Sequence, residues 1–390
     1  MCKKTITSEY VSYAHPDKIA DAISDAILDE FLKQDSNAKT GIETLVKDNI
    51  VVLGGEVSST ATVNYEEVVR NVFKNLPFSK EHHLAPNEIK IINLIGKQST
   101  EIHNGVDKGK GIIGAGDQGF MVGYASNETY TYMPLGHYLA KKICQYIASL
   151  TPLYGPDTKS QVTVEYDENN IPTVKHILIS TMHQNSLDNC RNDITKYIIN
   201  NEVNMSPLVF KKYIKDNNDL VIDINPCGEW RTGGPVSDCG VTGRKIVVDA
   251  YGGYCNVGGG AFSGKDLTKV DRSAAYMCRY LAKNIVATGI CNTAKVELSY
   301  MIGIPEPSAI NVELDINNDK ADKIIEWIKS HIDLTPKGII ERFDGLYPRY
   351  YNTAINGHYG YNVNGNEELE KLYPWEKINF SNSLSLFIKQ

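Results

Sequence analysis

Between Gly228 and Arg272 the chain reads GEWRTGGPVSDCGVTGRKIVVDAYGGYCNVGGGAFSGKDLTKVDR, and the residue types in this stretch suit a polyphosphate. Arg231, Arg244, Lys245, Lys265, Lys269 and Arg272 offer cationic donors to phosphate oxygens, while Asp238, Asp249, Asp266 and Asp271 are hard ligands for a divalent cation. Glycines cluster between them, as backbone does where a ligand must approach closely or φ must be positive. A nucleotide is the expected visitor. Gly259, Gly264 and Lys265 also fit the glycine and lysine positions of a phosphate-binding loop, with Lys245 to Ala250 read as the strand before it. Asp266 opposes that reading, because the residue after the lysine must bring a hydroxyl to magnesium and a carboxylate there repels phosphate. On its own, GGGAFSGKD reads first as a flexible surface turn.

Three further places could contribute chemistry. His15-Pro16-Asp17-Lys18 opens a helix whose Ile19, Ile23, Ile27 and Phe31 recur on one face. Proline biases His15 toward extended backbone at the helix mouth, where N–H groups and the dipole favour anions; an ordinary cap with an acidic first turn is the plainer alternative. GKQSTEIHNGVDKGKGIIGAGDQG, from Gly96 to Gly119, has little apolar periodicity and reads as a loop of the length used for lids. Its GAGDQG is not a dinucleotide fingerprint, since Phe120-Met121-Val122 continues as strand; Asp117 reads as a buried polar or metal-directed carboxylate. Gly155-Pro156-Asp157-Thr158-Lys159-Ser160 reads as a turn before a hairpin.

The elements that position these residues repeat. Helices begin near residues 17, 134 and 271, hairpins near 42, 162 and 296, and second helices near 65, 186 and 320. Asp48-Asn49 is a hairpin turn between Ile42 to Lys47 and Ile50 to Val57. Such an order, kept to within about three residues, implies three homologous α+β units. Antiparallel hairpins with helices on one face leave the other face to be covered by another unit or another chain.

At 390 residues there is chain for two or three domains, and the hydrophobic content of 42% and charged content of 22% are ordinary. The net charge of -7 argues against nucleic acid as the main partner. The eight cysteines include no CxxC pair and no zinc spacing, and read as reduced thiols, mostly in the core. The start MCKKTITSEYVS lacks a signal-peptide apolar region, and no apolar run is long enough for a bilayer, so a soluble cytoplasmic protein without a membrane partner is expected.

Together these segments resemble the methionine adenosyltransferases, or S-adenosylmethionine synthetases. The resemblance is carried by HPDK at 15–18, GGE at 54–56, GKQS at 96–99, GAGDQG at 114–119, PDxKSQVT at 156–163, DCGxTGRK at 238–245 and GGGAFSGKDxxKVDRSAAY at 258–276. It runs from about Thr7 to Pro374-Trp375-Glu376-Lys377. It implies an α+β fold of three βαββαβ-like repeats about a pseudo-threefold axis, here 1–100, 101–230 and 231–390. It also implies that methionine sulfur attacks C5′ of ATP, releasing a triphosphate that is cleaved to pyrophosphate and phosphate.

By the same resemblance His15 hydrogen-bonds the bridging oxygen at the leaving end, and Lys159, Arg244, Lys245 and Lys265 hold the polyphosphate. Asp17 and Asp271 match magnesium-directed carboxylates, for about two divalent ions per subunit, with Asp271 also counted as catalytic. Glu43 with Asp238 match a potassium site, and Glu56 with Gln98 match methionine contacts. Asp117, Asp157, Trp230, Ala261 and Lys269 complete the substrate positions, and 98 to about 113 match a mobile active-site loop. Partners are ATP, L-methionine and a second copy of the chain, a homodimer at least, with pairing of dimers into tetramers open. The sequence departs from the family at Glu229-Trp230-Arg231, and at Gly155, Ala14, Val257 and Tyr361, which stand where the family has an arginine, a glycine, a histidine and an arginine. These bear on adenine recognition and intersubunit contacts.

Overall fold

A computed structural model of the chain describes residues 4–77, 84–98, 113–151, 153–316, 319–345 and 347–389. Its frame is three hairpins. β2 (Lys39–Lys47) pairs with β3 (Ile50–Ser58), β7 (Tyr154–Tyr166) with β8 (Pro172–His183), and β11 (Thr293–Tyr300) with β12 (Ala309–Leu314), all antiparallel. In the first, Lys47 faces Ile50 across Asp48-Asn49, and Asp48 takes φ of 52°, the left-handed conformation Asp tolerates in a tight turn.

Each hairpin receives a strand from a different repeat. β1 (Lys4–Val11), from the first, lies antiparallel along β7 of the second. β6 (Gly119–Ser126), from the second, pairs with β11 of the third. The two-residue β10 (Gly240–Val241), from the third, pairs with β2 of the first. This cyclic exchange gives the three repeats their threefold relationship and makes each sheet depend on two of them. Parallel edges complete two sheets, with β4 (Lys90–Asn93) and β5 (Gly96–Lys97) beside β3, and β9 (Val221–Ile224) beside β8.

One long helix covers each sheet: α1 (Pro16–Gln34) on β2, α3 (Leu135–Ser149) on β1 and β7, and α5 (Val270–Ala287) on β6 and β11. Second helices α2 (Tyr65–Lys74), α4 (Leu187–Ile199) and α6 (Asp319–His331) follow the hairpins. The Ile19, Ile23, Ile27 and Phe31 stripe of α1 is buried, as its spacing requires. The helix-free sheet faces stay open: Leu45 on β2 and Phe120 on β6 are exposed, and so are Glu43 on β2 and Lys159 on β7.

Two local readings are corrected. Lys245 to Ala250 is not a strand, because Ile246–Asp249 winds into a single helical turn. Gly155 to Ser160 is not a turn before the hairpin but part of β7, whose register breaks between Tyr154 and Thr158. The expected lid falls largely on residues 99–112, outside the described residues. Among the described residues, no helix is long and apolar enough to cross a membrane.

Candidate active site

The site grows from the N-terminus of α1. His15 is the residue before the helix, with φ -60° and ψ 138°, and its Nδ1 accepts the N–H of Asp17 at 3.1 Å. A ring that accepts at Nδ1 carries its proton on Nε2 when neutral. Neutrality is enforced: burial, then the charges of Lys245 and Lys159, push the His15 pKa down to about 3. The helix mouth therefore presents an uncharged N–H donor next to two lysines.

Asp17 follows, buried. One oxygen accepts the N–H of Val241 at 2.9 Å and the other meets Lys245 Nζ at 2.5 Å, with Arg244 3.7 Å away. Burial pushes its carboxyl up, but the Lys245 bond, the Val241 N–H and the lysine charge outweigh it and hold Asp17 ionised. Lys265 repeats the pattern from the next loop, with Nζ 2.7 Å from Asp271 in the first turn of α5. The loops touch, since a Cβ on Gly243 would sit 2.5 Å from that of Ala261. Gly260 packs so closely on Asp271 that a Cβ there would collide with the carboxyl carbon. One oxygen of Asp157 accepts the Gly234 N–H at 2.8 Å, the other is buried without a partner among the described residues, and burial raises the Asp157 pKa to about 6.

The remaining candidates are placed less tightly. Asp238 is exposed and accepts the N–H of Cys239, while Glu43 is exposed on β2; among the described residues no hydrogen bond or ion pair joins the two. Glu56 lies on β3 beside Gly96 of β5, and Gln98 follows with its N–H on Val57 and a buried Oε1 that has no partner among the described residues. Lys269 is engaged by Asp266 at 2.5 Å. Of the two readings of Asp117, the buried one is corrected: it is exposed, and its carboxylate accepts the N–H of Gln118. Asp266 also changes meaning. It is buried, accepts the N–H groups of Thr40 and Thr268, and so faces the scaffold rather than a phosphate.

A second stripe on α1 is one that the sequence reading passes over. Asp17, Asp21, Asp25 and Asp29 stand four residues apart, so they share a helix face, and all four are buried. Each accepts backbone N–H groups from the third repeat: Val241 on Asp17, Gly243 on Asp21, Gly264 on Asp25, and Tyr350 with Tyr351 on Asp29. Lys18, also buried, contacts Asp21 at 3.0 Å and Asp249 at 2.5 Å. The regular aspartate spacing is the available signal.

Models of the S-adenosylmethionine synthetase N-terminal, central and C-terminal domains match residues 3–100, 112–230 and 232–377. The chain belongs to the S-adenosylmethionine synthetase family. It is 42% identical to the S-adenosylmethionine synthase of Borreliella afzelii, across 99% of this chain and 98% of that one. It is 44% identical to the one from Mycoplasma mycoides, across 96% and 95%. A solved structure described as an unusual S-adenosylmethionine synthetase from Campylobacter jejuni superposes with a TM-score of 0.86 at 34% identity, covering 98% of this chain and 99% of that one. S-adenosylmethionine synthesis, a methionine adenosyl transfer, is therefore its activity.

The departures from the family acquire local reasons. Met182 fills the space beside Gly155 and Gly233: a Cβ on Gly155 would collide with the Met182 Cβ, and one on Gly233 would lie 2.5 Å from its sulfur. An arginine at 155 therefore requires Met182 to move. Tyr361 stacks on Tyr373 at 3.7 Å, and Lys141 sits over its ring at 4.2 Å and donates to its hydroxyl at 3.2 Å, with burial lowering the Lys141 pKa to about 7. Ala14 is fully buried, and Val257 packs partly buried against the core.

Proposed function

We propose that the chain makes S-adenosylmethionine by attack of the methionine sulfur on C5′ of ATP, with the whole triphosphate leaving and then being cleaved to pyrophosphate and phosphate. The observation that carries this reading is the neutral His15 donor beside the Lys245–Asp17 pair, with a second lysine–aspartate pair, Lys265 with Asp271, on the loop that touches it. No side chain need act as nucleophile. Catalysis is in-line positioning plus stabilisation of charge that grows on the leaving triphosphate. His15 Nε2–H donates to the bridging oxygen. Lys159, Arg244, Lys245 and Lys265 receive the polyphosphate, Glu56 and Gln98 take the methionine, and Trp230, Asp157, Ala261 and Lys269 line the remainder.

The donor set suits magnesium. Among the described residues no cluster of three or more His, Cys, Asp or Glu could form an all-protein cage, and Mg²⁺ is commonly bound by one or two carboxylates together with substrate phosphates. Asp17 and Asp271, whose present partners are cationic lysines, are the residues that would hold it. When bound, such ions would neutralise triphosphate charge. Glu43 and Asp238 are assigned to potassium on the resemblance alone. The three repeats divide at about 100 and 230, and the open sheet faces carrying Leu45 and Phe120 favour a homodimer over a monomer.

Incubation with ATP, methionine, magnesium and potassium tests the reading: an adenosylated sulfonium should form together with both pyrophosphate and phosphate. ADP as the main product would replace it with a simple phosphohydrolase. A monomeric mass in solution with full activity would remove the dimer.

A further inference from the structure

We propose that Asp21 and Asp25 are positioning residues for the triphosphate-binding cations, with α1 serving as a ruler that sets the two cationic loops. This rests on the proposed function above. Gly243 directly precedes Arg244 and Lys245, and Gly264 directly precedes Lys265. Both glycines have φ of +81°, a conformation costly for any other residue. A Cβ at Gly264 would collide with the carbonyl oxygen of Ile42. In each loop the glycine N–H points inward to an aspartate of α1, at 2.9 Å on Asp21 and 2.8 Å on Asp25, and the basic residue follows directly. The same device thus occurs twice, one helical turn apart, a rise of about 6 Å for four residues. That is short enough for one polyphosphate to meet both loops.

The two anchors also belong to one buried polar cluster away from the site. Arg272 grips Asp25 through both guanidinium nitrogens and donates from Nε to Tyr276 Oη at 3.2 Å. Tyr276 Oη in turn lies 2.8 Å from His358 Nδ1. His358 Nε2 lies 3.8 Å from Asp249, beyond hydrogen-bond distance, and Asp249 is bound by Lys18, which also contacts Asp21. A displaced Asp21 or Asp25 therefore shifts a cationic loop, whereas Asp29, the fourth rung, accepts the N–H groups of Tyr350 and Tyr351. Asp29 is the internal control, a carboxylate of the same helix face and similar burial whose N–H donors belong to no cationic loop; its link to the Lys265 loop is indirect, through the Tyr350 ring 4.4 Å from the Arg272 guanidinium, which donates to the Lys265 carbonyl.

The test compares purified Asp21→Ala, Asp21→Asn and Asp29→Ala with wild type, after wild type has been shown to make the sulfonium product; if it makes none, the proposed function fails before the ruler is addressed. Loss of the Gly243 anchor in Asp21→Ala should lower kcat/KM for ATP about tenfold to a hundredfold while the methionine KM stays within about twofold. Asp21→Asn, which keeps an acceptor oxygen, should recover most of the loss. Asp29→Ala should lower the melting temperature while leaving the kinetic constants within about twofold. Should Asp21→Ala not fold, Asp21→Glu takes its place, since it keeps the charge and displaces the acceptor, and the same ATP-selective loss is expected. The proposal is overturned if Asp21 and Asp29 variants have the same kinetic profile, if both substrates weaken together, or if the asparagine rescues nothing.

Discussion

Asp25 and Arg272 face each other without solvent exposure, joined by bonds of 2.8 and 2.7 Å that tie the middle of α1 to the first turn of α5. The pair links the helices of the first and third repeats behind the site. Removing one partner leaves a buried charge uncompensated, which costs about 3–5 kcal/mol, more than the pair itself contributes against an apolar replacement. Arg272→Met should therefore destabilise by that amount, and Arg272→Met with Asp25→Asn by less than the sum of the single changes. Urea midpoints for the three variants check this, and strict additivity would show that the two residues do not act as a pair.

Asp29 gives stability a pH signature. Burial raises its pKa to about 7, against two backbone N–H bonds that lower it. Folding therefore takes up a proton in the window between the ordinary carboxylate range and about pH 7. The contribution is fully present below about pH 4 and is lost as pH rises through about 7. On going from about pH 8 to about pH 5.5, the stability gap between wild type and Asp29→Asn should move in favour of wild type by about 2 kcal/mol. A gap that stays constant over that interval in denaturant titrations would mean that Asp29 does not titrate there.

The repeat is legible in the sequence because both of its periods are local: Ile19, Ile23, Ile27 and Phe31 mark a helix by spacing, and Asp48-Asn49 marks a turn by residue type. The strand exchange is not, because nothing within Lys4–Val11 specifies that its partner is Tyr154–Tyr166, about 150 residues away. A periodicity search that follows apolar residues also passes over the aspartates at 17, 21, 25 and 29, whose burial is decided by backbone N–H groups arriving from the third repeat. The burial of Asp117 and the role of Asp266 are misread for the same reason: whether a carboxylate meets solvent, a metal or a loop N–H depends on what folds against it.

Lys265 is the cation whose removal should be felt most directly in the chemical step. It projects from the loop anchored on Asp25 and is free to exchange Asp271 for a phosphate oxygen. Lys265→Met should cost about 2–4 kcal/mol of transition-state stabilisation, roughly a hundredfold or more in rate, with little change in fold because its side chain is partly exposed. Single-turnover rates and circular dichroism together check both halves, and an unchanged rate would remove Lys265 from the triphosphate site.

Trp230 should make this enzyme less strict about the base than its relatives. The indole N–H donates to the Thr232 carbonyl at 2.6 Å, and the Trp230 carbonyl accepts the N–H of His183. Arg231 is similarly engaged, with the carbonyls of His183 and Asn185 at 2.8 and 2.9 Å and with Glu229 at 2.9 Å. The indole N–H and the Arg231 guanidinium are thus held by the segment itself, which leaves the ring its π-face to offer a base. Stacking accepts any base, because every base has such a face, whereas discrimination needs hydrogen bonds to the base edge. The ratio of kcat/KM for ATP to that for GTP should therefore be modest, and Trp230→Phe should weaken both nucleotides by a similar factor through the smaller ring. Measuring both ratios in wild type and variant decides it: strict ATP preference, untouched by the substitution, would mean that Trp230 packs only against its own loop.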